Sequence, residues 1–251
     1  MKVTTDTSAG RLWNILQQGK EFSLGHQSNP GLKIGTVWSH ILDIDPGNEF
    51  RVIQAHASIT LLVAEVEADI RRVYGEQANL YLGLLKKVIA GLSQSSVAQP
   101  WSNLDSHLDD ATMSGLALAA QNLKASFAET QISESELQDL LIHIDEMSNN
   151  IADSTINPEL KIALLQGLEE LRRAVVDYKI TGSVSVKRAA QQAVGSIALS
   201  KDGITTNDEI EKVKKVLDVM DVALKLVGWS CKAYNAIAPM LNAAPIPLPL
   251  S

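Results

Sequence analysis

Apolar residues return along this chain at intervals of three and four. Three stretches show it most plainly: Leu137, Leu140, Leu141, Ile144 and Ile151; then Leu164, Leu168, Leu171, Val175 and Tyr178; then Ile210, Val213, Leu217, Met220, Leu224 and Val227. This spacing gathers each set onto one helix face, and such a face has to be buried against other helices. The pattern predicts an all-α protein, an elongated multi-helix bundle of about eight or nine helices with short connections and no sheet.

The N-terminal half reads less regularly. A short helix is predicted from Ser8 to about Phe22, followed by an irregular stretch with Gly25, Asn29, Pro30, Gly31 and Gly35. A brief helix around Trp38, Ile41 and Leu42 ends at the turn signal Asp45-Pro46-Gly47. A long helix then runs from about Gly47 to Tyr74, with Ile59, Leu62, Val63, Val66, Ile70 and Val73 as its inner face. Gly75 interrupts it, and the next helix carries Leu80, Leu84, Leu85, Val88, Ile89 and Leu92. Residues 93–100 read as a linker, and one further helix fits roughly Asn103 to Glu129.

The second half is better punctuated. Ser133 followed three residues later by Glu136, and Thr206 by Glu209, read as capping boxes that open helices. Asn157-Pro158 reads as an N-cap followed by a first-turn proline. That helix is expected to end near Gly182 in a left-handed cap, with a shorter helix beginning at Ser183. The resulting division is an irregular region at 1–46, a long helical hairpin at 47–130 and a C-terminal helical region at 131–251, packed together as one continuous domain.

Composition narrows the core. The 251 residues are 45% hydrophobic and only 4% aromatic, so Leu, Ile, Val and Ala must fill the interior. The net charge of −7 falls within residues 133–178, which leaves the rest of the chain neutral. An acidic chain repels phosphate backbones, so double-stranded nucleic acid is not an expected partner. A single cysteine, Cys231, excludes an internal disulfide, and the polar N-terminus has no apolar signal-peptide core. Both observations point to the cytoplasm.

Candidate chemistry is sparse. Arg51 and His56 stand five apart in Arg-Val-Ile-Gln-Ala-His. This segment resembles the Arg-x4-6-His signature of the HEPN families, all-helical domains that often cut RNA. The resemblance covers six residues and departs from the family's habit in placing Val52 after the arginine. It implies that Arg51 would steady phosphate charge and that His56 would move protons. Elsewhere His107 lies among Asp105, Asp109 and Asp110, and His143 among Asp139, Asp145 and Glu146. Each set offers one imidazole with no second His or Cys to complete a four-ligand site, so no metal is expected. Glu169, Glu170, Arg172 and Arg173 read as ion pairs on an exposed helix. No phosphate loop, dinucleotide fingerprint, nucleophile elbow or Cys-x-x-Cys is present in the sequence, and no cofactor is expected.

The last helix changes character near Val216. Beyond it apolar residues lie nearly all round as far as Pro239, broken by Asp218, Asp221, Lys225 and Lys232. Four charges oppose a spontaneous membrane span, so insertion would require rearrangement. Leu217, Met220, Leu224, Val227 and Trp229 are the candidate interaction residues. The function expected from the sequence is a non-enzymatic interaction or assembly protein that binds itself or another helical protein. The alternatives are a membrane-active effector using the C-terminal helix and an HEPN-like ribonuclease using Arg51 and His56.

Overall fold

A computed structural model describes residues 3–26, 29, 31–200 and 203–229. Among them are ten helices, nine of seven residues or more, and no strand. The chain divides into two compact units, one formed by Met1–Glu129 with Lys179–Gly182 and the other by Thr130–Tyr178 with Ser183–Ser251.

The first unit holds α1 (Ser8–Gly25), α2 (Ile34–Ile41), α3 (Glu49–Tyr74), α4 (Asn79–Gln94), α5 (Trp101–Asp105) and α6 (Asp110–Phe127). Side-chain acceptors at three helix starts meet N–H groups that the first turn leaves without partners. Thr7 accepts from Gly10 N at 3.1 Å, Asn48 from Arg51 N at 3.1 Å and Asp109 from Thr112 N at 2.8 Å. Helix α3 packs on α1, α2, α4 and α6, while α1 also packs on α6 and α4 on α6. Leu12, Leu16, Ile59, Val63, Val66, Ile70, Leu85 and Leu116 are among the residues that close this core. Trp38 and Trp101 are fully buried within it, edge to face at 5.4 Å.

The helix predicted over Asn103–Glu129 is two helices. The chain breaks between α5 and α6 because Asp109 takes extended backbone angles and turns its carboxylate onto the Thr112 N–H. A strong N-cap inside a periodic stretch starts a new helix there. Between α3 and α4, Gly75 takes a left-handed φ of 52° and opens a 3-10 turn, Gly75–Ala78.

The second unit holds α7 (Glu134–Ala152), α8 (Pro158–Val176), most of α9 (Tyr178–Leu199) and α10 (Asn207–Leu226). Both capping boxes form with reciprocal bonds, and Asn157 caps α8 by accepting from Glu159 N and Leu160 N. Leu140, Ile144, Leu164, Leu168, Leu171, Val186, Ala190, Val213, Leu217 and Met220 form the core. Gly167 lets α8 and α9 approach closely, since a Cβ there would meet Ala193 Cβ at 2.8 Å.

Two predicted helix ends move. α8 stops at Val176, not near Gly182, and Asp177 leaves helical geometry. Gly182 does break helical geometry, with φ 68° and ψ −170°, so α9 is kinked there and its longer segment begins at Ser183 as predicted. α10 stops at Leu226, short of the predicted continuation toward Pro239. Gly228 takes φ 73°, Trp229 N donates to Leu224 O at 2.8 Å and Gly228 N to Lys225 O at 3.0 Å. Together these bonds are a Schellman motif, which satisfies the last carbonyls and ends the helix. The remainder of the predicted apolar helix, Cys231 and the terminal prolines lie outside the described residues.

Candidate functional site

The Arg51–His56 pair was the sequence's best catalytic candidate. Both sit on α3, but five residues turn a helix through about 500°, which leaves the two side chains roughly 140° apart. Arg51 Nη1 donates to Gln54 Oε1 at 3.2 Å. His56 is fully engaged. Trp38 Nε1 donates to its Nδ1 at 3.1 Å, and its Nε2 faces Leu92 O and Ser95 O, each at 3.1 Å. An indole N–H can only donate, so Nδ1 is the acceptor and Nε2 carries the proton toward the two carbonyls. The imidazole therefore ties α2 to the C-terminal end of α4, and its one lone pair is occupied. A general base needs that lone pair free for its substrate.

The two histidine–carboxylate groups also resolve into structural contacts. Asp105 pairs with Lys20 at 3.0 Å, and Asp109 pairs with Lys87 at 2.7 Å while capping α6. The hydrogen bond from Lys87, together with those from Thr112, holds the Asp109 carboxyl well below its ordinary range. His107 lies over Gly91, where a Cβ would meet its own Cβ at 3.1 Å. Asp145 pairs with Arg172 of α8 at 2.9 Å, and His143 is exposed. Arg173 pairs with Glu169 at 2.8 Å within α8. Among the described residues no three His, Cys, Asp or Glu side chains are placed to hold a metal ion.

The most buried charge of the first unit was not singled out from the sequence. Arg11 is only 5% exposed. Its Nη2 meets Glu65 Oε1 at 2.9 Å, its Nη1 pairs with Glu129, and its Nε donates to Ile180 O at 3.0 Å. Ser8 Oγ donates to Asp69 Oδ2 at 2.7 Å beside it. Burial pushes the Glu65 carboxyl above its ordinary value, and the Arg11 guanidinium opposes that rise. Three directions of the guanidinium are taken up by protein groups, so the cluster is a clamp that binds α1, α3 and residues 129 and 180 together.

The named interaction residues divide by burial. Leu217 and Met220 are fully buried and Leu224 is 3% exposed, all within the core of the second unit. Val227 and Trp229 are half-buried against that core, and Lys187 Nζ sits 3.7 Å from the centre of the Trp229 ring. A cation over an indole face is a favourable contact that also covers the ring. Leu217, Met220 and Leu224 thus already have partners inside their own unit.

A different surface remains uncovered. α3 carries a second apolar stripe on the side opposite its core face: Phe50, Ile53, Ala57, Leu61, Ala64 and Ala68, every one exposed. Phe50 is 70%, Ile53 53% and Leu61 71% exposed. At 100° per residue the six fall within an arc of roughly 80° over about 27 Å of helix. No charged residue falls on that arc between Phe50 and Ala68. Glu49 flanks the stripe at its N-terminal end, and Arg71 and Arg72 continue it at the C-terminal end. The sequence held this signal as a second 3.6-residue period superimposed on the inner face, and the stronger inner period masked it.

No helix of the described residues is long and apolar enough to cross a membrane. Comparison with protein-family models, with curated proteins and with solved structures finds no match. The class that the fold defines is therefore an all-α multi-helix bundle, and its site has to be read from its own residues.

Proposed function

We propose that this chain is a non-enzymatic helical interaction protein of a reducing, cytoplasmic compartment, and that the outer stripe of α3 is where it receives another helix. The carrying observation is that a 26-residue helix buries one apolar face and exposes a second, charge-free one. Single exposed apolar residues are ordinary on a protein surface, whereas an aligned set of them marks a contact site. Helix-in-groove and helix-on-helix recognition use this spacing of anchors. The engagement of His56 by Trp38 and two carbonyls speaks against the ribonuclease alternative.

A photo-crosslinking residue at Ala64, in the full chain within its producing cells, tests the reading. A discrete protein adduct, absent when the same residue replaces the exposed Lys86 of α4, is expected. Equal or absent adducts at the two positions would remove α3 as an interaction surface.

A further inference from the structure

The geometry points to a second copy of this chain as the helix that α3 receives, paired antiparallel about a two-fold axis near Ile59. The inference rests on the interaction reading above and names its partner. Three of the six stripe residues are large and three are alanine, and their order along the helix is self-complementary. When one α3 is laid antiparallel on another, with the axis at the level of residue 59, Phe50 falls opposite Ala68, Leu61 opposite Ala57 and Ile53 within one residue, about 1.5 Å, of Ala64. Each large side chain of one copy meets a small one of the other, at both ends of the contact. A parallel pairing in register would set Phe50 on Phe50 and Leu61 on Leu61 and leave the alanine levels unfilled. An isologous contact of this kind is closed, so it yields a dimer and not a fibre.

Charge points the same way. The N-terminal end of the stripe is flanked by the exposed acids Asp45 and Glu49, and the C-terminal end by Arg71 and Arg72, which are 58% and 68% exposed. Antiparallel pairing brings the basic end of each copy to the acidic end of the other. Arg71, bonded to Glu67 of its own helix at 2.7 Å, then lies between that carboxylate and Glu49 of the second copy. Parallel pairing would set arginines on arginines and acids on acids. The two helix dipoles also oppose each other favourably in the antiparallel arrangement. A single contact about 27 Å long lies at the small end of specific interfaces, so the dimer is a weak one.

The test uses the full chain with Cys231→Ser, followed by light scattering after size exclusion and by sedimentation equilibrium from 1 to about 200 µM, a range that brackets weak association. A monomer–dimer equilibrium is expected, with Leu61→Glu raising the dissociation constant at least tenfold and leaving the thermal melt in place. Glu49→Arg and Arg71→Glu should each weaken the dimer, and the double variant should restore it. Residues 49 and 71 are about 33 Å apart on one helix, so restoration can only come from pairing between copies. Spin labels at Ala68→Cys should lie roughly 25–30 Å apart in the dimer, against about 15 Å or less for a parallel pair. A strict monomer, a dimer indifferent to Leu61→Glu, or a short label distance would each overturn the proposal. So would a monomer that dimerises only after truncation beyond Trp229, since the chain's own C-terminal segment would then be the occupant. A monomer whose Ala64 photo-crosslinker still captures a different protein would overturn self-pairing and leave the interaction reading standing.

Discussion

The Trp38 indole N–H donates to His56 Nδ1 across 3.1 Å, while His56 Nε2 faces the carbonyls of Leu92 and Ser95. One imidazole thereby satisfies a buried donor and two carbonyls at a helix end. Replacing His56 by Ala leaves those groups without partners and should lower stability by about 1–3 kcal/mol. Calorimetric melting of the variant checks this. A melt unchanged within error would mean that the histidine carries no structural duty. RNA incubated with the wild type and with His56→Ala should behave identically.

Gly182 combines a φ of 68° with crowding. A Cβ there would fall on the Glu129 carboxylate and on the Arg11 guanidinium. Gly182→Ala should cost about 1–3 kcal/mol for a positive-φ, extended-ψ backbone that essentially only glycine adopts. It should cost more because the buried Arg11 pairing must open, and breaking a buried pair is worth roughly 3–5 kcal/mol. Urea unfolding gives the sum. A change below about 0.5 kcal/mol, the range of an ordinary surface substitution, would refute the clamp.

Glu209 carries a pH dependence of definite sign. Its residue is 5% exposed, and burial by itself would raise its carboxyl. Backbone N–H groups of Thr205, Asn157 and Thr206 outweigh burial and bring it down from 4.5 to about 2. A depressed folded-state value means that the contribution is complete above pH 4.5 and is lost as pH falls through 2. Glu209→Gln should remove that acid-limb dependence from the second unit, read as unfolding free energy against pH. An identical acid limb in wild type and variant would sink the assignment.

Core and docking faces should separate in a substitution series. Leu217→Ala and Met220→Ala open cavities in the second unit and should cost about 2–5 kcal/mol each. Leu61→Ala removes a side chain that is 71% exposed and should stay within about 0.5 kcal/mol. Chemical denaturation of the three variants decides. A large loss at Leu61 would show that its side chain is buried within the chain itself.

Much of the fold was legible in the residues because its signals are local. The periods of α7, α8 and α10, the boxes at Ser133 and Thr206 and the Asn157-Pro158 start all depend on neighbours within one helical turn, and all were read correctly. Helix ends were read less well. The break at Asp109 lay inside a continuous apolar period, and the stop at Gly228 needed a left-handed backbone that Val227-Gly228 permits but does not compel.

Local order thus belonged to the sequence alone: the all-helical class, the inner faces and most helix starts follow from spacing and capping chemistry. Tertiary packing decided what each side chain is for. Whether His56 is a base or a brace depended on Trp38 and the end of α4, groups 18 to 39 residues away in the chain. Whether Leu217 or Leu61 faces a partner depended on which side of its helix found a neighbour. Spacing aligns apolar residues on a face, but only the three-dimensional arrangement determines which faces remain open to water.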